Sequence, residues 1–419
     1  MMKRTVRAVA TLALLTVATI GRSQVKILFD ATKAEMAGNA DWVIDADLHN
    51  LGVGSSGPYV SSSGTKSNPQ RIPTPAQSGI TASTSETYWD GGLSAWAVDC
   101  AKKGYTVESL PWNSQITYGN SSNAQDLSNY KVFVIDEPNL VFSAAEKTAI
   151  MQFVQNGGGL FMISDHNISD RNGDGWDSPH IWDDFLSNNS VQNYPFGIYF
   201  DTVDFSQTTT NISAASTDSI IHGPMGTVTK VQWSGGTTMT LNPTANATVK
   251  GVVFKTGTTP GNTNAMVAYA RYGHGKVAAM GDSSPSDDGT GNPSCTLYPG
   301  YFGDASGNHQ LLIMNMTIWL AESDTTVISH VGVADVNNEQ PSINVFPNPS
   351  NDGIINLSTD GLLTNAVVSI YNFAGQLVAQ QKADEFAKGS NITFQLTSGS
   401  YIVSIQSNKG LQTTRFAVY

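Results

Sequence analysis

Continuous apolar runs that stop abruptly on an acid recur along the N-terminal part of the chain. "VKILFD" ends on Asp30, "YKVFVIDEPN" on Asp136 and Glu137, "GLFMISDHN" on Asp165, His166 and Asn167, and "GKVAAMGDSS" on Asp282. "YTVESLP" is a further strand of the same kind. Between these runs the period changes to that of a helix. Leu93, Trp96, Ala97 and Cys100 share one face of a segment that runs to Lys103 and is closed by Gly104. Ser143 and Glu146 form a capping box ahead of the apolar positions Ile150 and Val154, and Gly157 stops that helix. Strands apolar on both faces, alternating with helices, predict an α/β domain with a mostly parallel sheet covered on both sides. In such sheets ligands bind beyond the carboxyl ends of the strands. Asp30, Asp136, Asp165–His166 and Asp282 therefore converge on one candidate crevice. From Phe196 to Ala270 the pattern turns to β inserts, with "TMTLNP" and "VKGVVFK" as strands. The Ser/Gly/Pro/Thr-rich stretch from Leu51 to Gly92 is a long loop, either a binding lid or a spacer.

The C-terminal end changes character. "INVFPNPSNDGIINLS", "AVVSIYNFAGQLVAQQ", "NITFQLTSGSYIVSIQ" and "GLQTTRFAVY" are alternating strands separated by turn residues, the pattern of a small all-β sandwich. Pro347-Asn348-Pro349, Tyr371-Asn372 with Gly375-Gln376, and Leu396 through Ser398-Gly399 to Tyr401 resemble the type A C-terminal sorting domain of the type IX secretion system of Bacteroidota. The resemblance implies type IX secretion machinery as a partner, translocation across the outer membrane, and release or attachment at the cell surface. Residues 342–419 form this domain, and the polar, aperiodic 322–341 is a linker.

The strand–helix order and the "Gly-Gly-Gly-strand-turn" of Gly157 to Asn167 resemble the class I glutamine amidotransferase-like fold, a flavodoxin-like sheet, over residues 25–321. Its catalytic members carry a cysteine nucleophile on the sharp turn after such a strand. Asp165, His166 and Asn167 stand there in this chain, so the resemblance implies the architecture without thiolate-dependent amidotransfer.

Composition narrows the choice. The 419 residues are 40% hydrophobic and only 13% charged, with a net charge of −12. The acidic balance argues against nucleic acid or an anionic membrane as the main partner. Residues 1–23 read as a signal peptide: a basic start, the short apolar run "AVATLALLTVATI", and small residues at Gly21 and Ser23. No later run is long enough for a transmembrane segment. Two cysteines serve an oxidising compartment; Cys100 is core filler or the partner of Cys295 in a disulfide.

The densest chemistry lies in "SDHNISDRNGDGWDSPHIWDDF". Asp170, Asn172, Asp174 and Asp177 alternate around Gly175 with the spacing of a calcium loop; the same spacing also makes a turn held by its own hydrogen bonds. The EF-hand glutamate is absent, Ile181 standing there, with Asp183 or Asp184 in reach. Asp165 and His166, with His180 nearby, suit a transition metal or a base oriented by an acid. Asp282 with Ser283 and Ser284 lacks the pattern of a nucleophile elbow and reads as a ligand-holding or Asx-rich turn. We therefore expect His166, Asp165 and Asp282 as catalytic residues and Asp30, Asp136, Trp176 and Ser283 as substrate-binding residues. The expected metal ligands are Asp170, Asn172, Asp174 and Asp177.

Two functions fit. One is a secreted, hydrolase-like enzyme with a metal-assisted Asp/His site acting on an extracellular polymer such as a polysaccharide. The other is a non-catalytic, calcium-stabilised surface module that binds a glycan or another ligand. Convergence of Asp165, His166 and a third ligand favours the first; acids dispersed over separate turns favour the second.

Overall fold

A computed structural model describes residues 24–37, 40–45, 53–54, 57–58, 76–89, 91–111, 114–289, 299–303, 305, 307–322, 342–372, 376–408 and 410–419. The expected signal peptide (1–23), most of the Leu51–Gly92 loop, the expected linker after Glu322 and Cys295 lie outside them. The chain divides into two compact units, Met1–Gly332 and Val333–Tyr419.

In the first unit β1 (Lys26–Asp30), β2 (Thr106–Leu110), β3 (Val132–Asp136) and β4 (Gly159–Ile163) precede a β insert. The insert supplies β5 (Ile198–Phe200), β6 (Phe205–Thr209), β7 (Val231–Gly236), β8 (Met239–Leu241), β9 (Lys250–Phe254) and β10 (Ala265–Tyr272); β11 (Gly275–Met280) returns to the centre. The main sheet runs β2-β1-β3-β4-β11-β10-β8-β5, with β9 also paired to β10. From β2 to β11 every pairing is parallel, and the remaining strands add an antiparallel flank. Counting the parallel strands alone, the order is 2-1-3-4-5, the flavodoxin-like order, which reverses direction between β1 and β3.

The unbroken apolar runs are explained by burial on both faces. Ile27, Phe29, Val132, Val134, Phe161, Ile163, Ala278 and Met280 pack with α1 (Ser94–Lys102) and α4 (His309–Ala321) on one side. Their neighbours Leu28, Phe133, Ile135, Leu160, Met162, Val277 and Ala279 pack with α2 (Ala144–Gln155) and α3 (Ser178–Ser187) on the other. The Ser143–Glu146 capping box is present at the start of α2. α1 has no side-chain cap of its own; the Asp288 carboxylate accepts the Ala95 N–H from far along the chain (2.8 Å). The triple glycine has two causes. Gly157 ends α2 with φ +111°, and a Cβ on Gly159 would sit 2.8 Å from the Leu320 backbone of α4. Cys100 is a free, buried thiol packed against Met314.

The second unit is a sandwich of two antiparallel sheets. β12 (Ile343–Phe346), β13 (Ile354–Thr359) and β16 (Asn391–Gln395) form one; β15 (Leu377–Phe386), β14 (Leu363–Asn372), β17 (Gly399–Ser407) and β18 (Gly410–Val418) form the other, in that order. Leu357, Val368, Ile370, Val403, Ile405 and Phe416 fill its core. Asn348, between the two prolines of the sequence motif, accepts the Ala417 N–H and donates to the Arg415 carbonyl, tying that turn to β18.

Candidate functional site

The strand order places Asp30, Asp136, Asp165 and Asp282 along one edge, and each is at most 2% exposed. Asp30 and Asp136 flank the point where the strand order reverses. Between the strand ends lies a group that the sequence did not foreshadow: Arg171, from the loop after β4, bridges two acids. Its Nη2 donates to Asp165 Oδ2 (2.6 Å) and its Nε to Glu137 Oε1 (2.9 Å). Glu137 also accepts from Trp42 Nε1 (2.9 Å) and from the Ser283 hydroxyl (2.6 Å). Glu137 carries φ +47°, an unfavourable backbone for a residue with a Cβ. The sharp turn at this edge thus falls after β3, at a glutamate, rather than after β4 as the resemblance implied. Asn139 joins from the same loop, its amide donating to the Ala34, Met36 and Glu137 carbonyls.

Two carboxyl groups share one guanidinium, and Asp165 is the one whose charged form is disfavoured. Burial pushes its carboxyl well above the usual range, with Glu137 and Asp282 adding to the push and Arg171 opposing it. Burial likewise raises Asp136 well above its ordinary value, against the Ser286 hydroxyl that donates to it. Asp282 is lifted to about 7 by burial, although the Ser234 and Ser284 N–H groups donate to it. Burial raises Asp30 and Glu35 as well. The edge is a desolvated bank of acids, and Asp30 Oδ2 and Asp136 Oδ1 have no hydrogen-bond partner.

His166 lies at the margin of this bank. Its Nδ1 is 2.6 Å from the Asn167 carbonyl, so Nδ1 carries the proton. Nε2, the remaining nitrogen, is 3.7 Å from Asp165 Oδ2, and Asp204 approaches Nδ1 at 3.8 Å. His180 Nδ1 lies 2.5 Å from Asp177 Oδ1, in the first turn of α3.

The loop from Ile168 to Asp177 is held by its own carboxylates. Asp170 accepts N–H groups from Gly173, Asp174 and Gly175, and Asp174 accepts from Trp176. Asn172 donates to the Asn139 carbonyl. Asp177 caps α3 through the His180 N–H and holds the Ile168 N–H (2.7 Å) with its other oxygen. Ile168 is thereby fixed at φ +61° with 78% of its surface exposed. A β-branched residue in that backbone state is an outlier, and here it is also presented to solvent. With Asp170, Gly175, Trp176, Asp177 and His180 it lines an open depression of about 520 Å³. Trp176 is 39% exposed, whereas Trp89 and Trp182 are buried in the core.

Of the expected site residues, Asp165, His166, Asp282 and Ser283 come together around Arg171 and Glu137. Asp30 and Asp136 lie on neighbouring strands, and Trp176 stands apart on the surface depression. Among the described residues no group of three or more His, Cys, Asp or Glu is arranged to hold a metal ion. Glu137 was visible in the sequence as a strand-end acid, but Arg171 and the pairing between them went unnoticed because nothing local marks a long-range ion pair; the one arginine in the acid-rich stretch was the available signal.

Residues 344–419 match the family described as "Secretion system C-terminal sorting domain". The protein is accordingly secreted or placed at the cell surface, and its tail engages secretion machinery. No helix among the described residues is long and apolar enough to cross a membrane. No curated protein matches the chain. Among solved structures it is similar to the N-terminal domain of mmIFT52 (12% identity, 59% of this chain and 98% of that one, TM-score 0.37). It is also similar to a cytoplasmic protein of Salmonella typhimurium (14% identity, 70% and 98%, TM-score 0.36). A ThuA-like protein from Parabacteroides merdae is a third (12% identity, 73% and 93%, TM-score 0.34). The flavodoxin-like assignment rests on the strand order itself.

Proposed function

We propose that the α/β unit is a ligand-binding module of a secreted or cell-surface protein, taking a saccharide-class ligand against Ile168, Trp176 and His180. The observation that carries this reading is the contrast at one sheet edge. The acids at the strand ends are buried out of reach of solvent, while an aromatic and a strained aliphatic residue are presented on a carboxylate-braced loop. An apolar surface with a few fixed polar groups is how small ligands are held. Titration with a panel of soluble oligosaccharides tests it. Trp176→Ala should weaken binding at least tenfold without lowering the melting temperature; unchanged binding would remove the depression from the account.

A second reading, hydrolysis of an extracellular polymer, is favoured by one feature. His166 Nε2 is the basic nitrogen of the ring and lies beside Asp165, where it could take a proton from water. Calcium at Asp170, Asn172, Asp174 and Asp177, and a transition metal at Asp165 and His166, are separate proposals resting on residue type and spacing. Carboxylates that already accept N–H groups keep lone pairs for a cation. A melting temperature that rises with added calcium and falls with chelator would support the first of these.

A further inference from the structure

At the opposite end of the main sheet a second cavity, of about 430 Å³, is lined by Asp218, Ser219, Lys250, Tyr269, Arg271 and Trp319 among others. Arg271 pairs with Lys276 at the start of β11, whereas Asp282 follows its end. At about 3.3 Å per residue the two sites lie roughly a strand length, ~20 Å, apart. The cavity wall follows from strand periodicity. Lys250 stands opposite Tyr269 in the β9–β10 pairing, and Arg271 is two residues on, so the three side chains rise from one face. Trp319, near the end of α4, closes that face: its ring meets Tyr269 edge-on at 5.0 Å, and the Arg271 guanidinium lies 5.7 Å from its centroid.

The charge of this cavity is opposite to that of the chain. Asp218 is the one carboxylate among the lining residues. It is buried, accepting from the Tyr269 hydroxyl (2.8 Å) and from the N–H groups of Ile220 and Ile221 (2.9 and 3.2 Å). Asp218 is thus held within the wall, and the lining carries two cationic side chains, Lys250 and Arg271, to its one carboxylate in a chain of net charge −12. Guanidinium and ammonium groups recognise carboxylate and sulfate by charge-assisted hydrogen bonds. The two aromatic rings offer apolar surface, and the Ser219 hydroxyl both donates and accepts, as sugar hydroxyls do. We infer that this cavity binds an acidic saccharide unit, one bearing a carboxylate or a sulfate ester, independently of the depression at Trp176.

The test is calorimetric titration of the full chain with four probes: an oligogalacturonate, a sulfated galacto-oligosaccharide, a neutral galacto-oligosaccharide of the same length, and sodium sulfate. At least one acidic oligosaccharide should bind ten times or more tighter than the neutral one and than inorganic sulfate, with affinity falling as salt is added. Lys250→Ala and Arg271→Gln should each weaken that binding about tenfold or more, and Trp176→Ala should leave it unchanged. Lys250 is exposed, so its variant folds even if the Arg271 variant does not. Failure of both acidic sugars to bind, equal affinity for the neutral sugar or for sulfate in the Trp176→Ala protein, where the other depression is removed, or unchanged binding in Lys250→Ala would each overturn the inference. Loss of this binding in Trp176→Ala would assign it to the other site.

Discussion

Arg171 stands between two buried carboxylates, and removing it leaves Asp165 and Glu137 facing each other without a cation. Breaking a buried pair from one side is more costly than replacing the whole pair by apolar residues. Arg171→Ala should therefore cost about 3 kcal/mol of folding stability at a pH where both carboxyls are ionised, and less at lower pH, where burial keeps Asp165 protonated, read from urea unfolding. Arg171→Lys should recover only part of it, because an ammonium cannot present the planar fork that reaches both acids. A variant as stable as the parent even at high pH, where both carboxyls are ionised, would mean that the bridge contributes little. The same bank of acids gives a pH dependence with a definite sign. Asp136, Asp165 and Glu35 are raised above their unfolded values, and Asp282 to about 7. The folded state then holds more protons than the unfolded chain, and stability falls as pH rises. The contribution is full below about pH 4, the unfolded carboxyl value, and is lost as pH climbs through the folded values, near 7 for Asp282. Melting temperatures should be higher at pH 5 than at pH 8. A flat or opposite profile would show that the acids are ionised and compensated.

At the scale of elements, the caps and the strand ends carry the argument. Asp177 closes α3 and also fixes Ile168. Asp177→Ala should cost about 1 kcal/mol as a lost helix cap, and it should also blunt ligand binding by releasing Ile168 from its positive-φ state. Lost stability with intact binding would separate the cap from the surface it braces. The strands were legible in the sequence because burial on both faces leaves a continuous apolar run, and the α2 capping box because its two residues are local. The cap of α1 was not legible, since Asp288 reaches Ala95 across 193 positions. α4 was missed for a different reason. "HQLLIMNMTIWLA" is apolar all round and has no polar face to show a period, as expected of a helix buried on every side. Candidate acids were likewise visible as strand ends, whereas their partner Arg171 and the exposure of Trp176 rather than Trp89 or Trp182 depended on how the loops fold.

For the whole molecule, each unit has its own core and its own hydrogen-bonded sheets. Removing residues 342–419 should leave the α/β unit folded and retained in the periplasm, as cell fractionation would show. Surface delivery of the truncated chain would contradict a role for the tail in sorting. The proposed saccharide-binding role predicts that the protein holds a polymer rather than cutting it. The most direct measurement incubates the full chain with a polysaccharide it retains and follows retained polymer and new reducing ends together, for the parent, Trp176→Ala and His166→Ala. The account predicts polymer recovered at its original length, retention lost in Trp176→Ala and kept in His166→Ala. New reducing ends in the parent that disappear in His166→Ala would contradict it and make the margin of the acid bank a catalytic site.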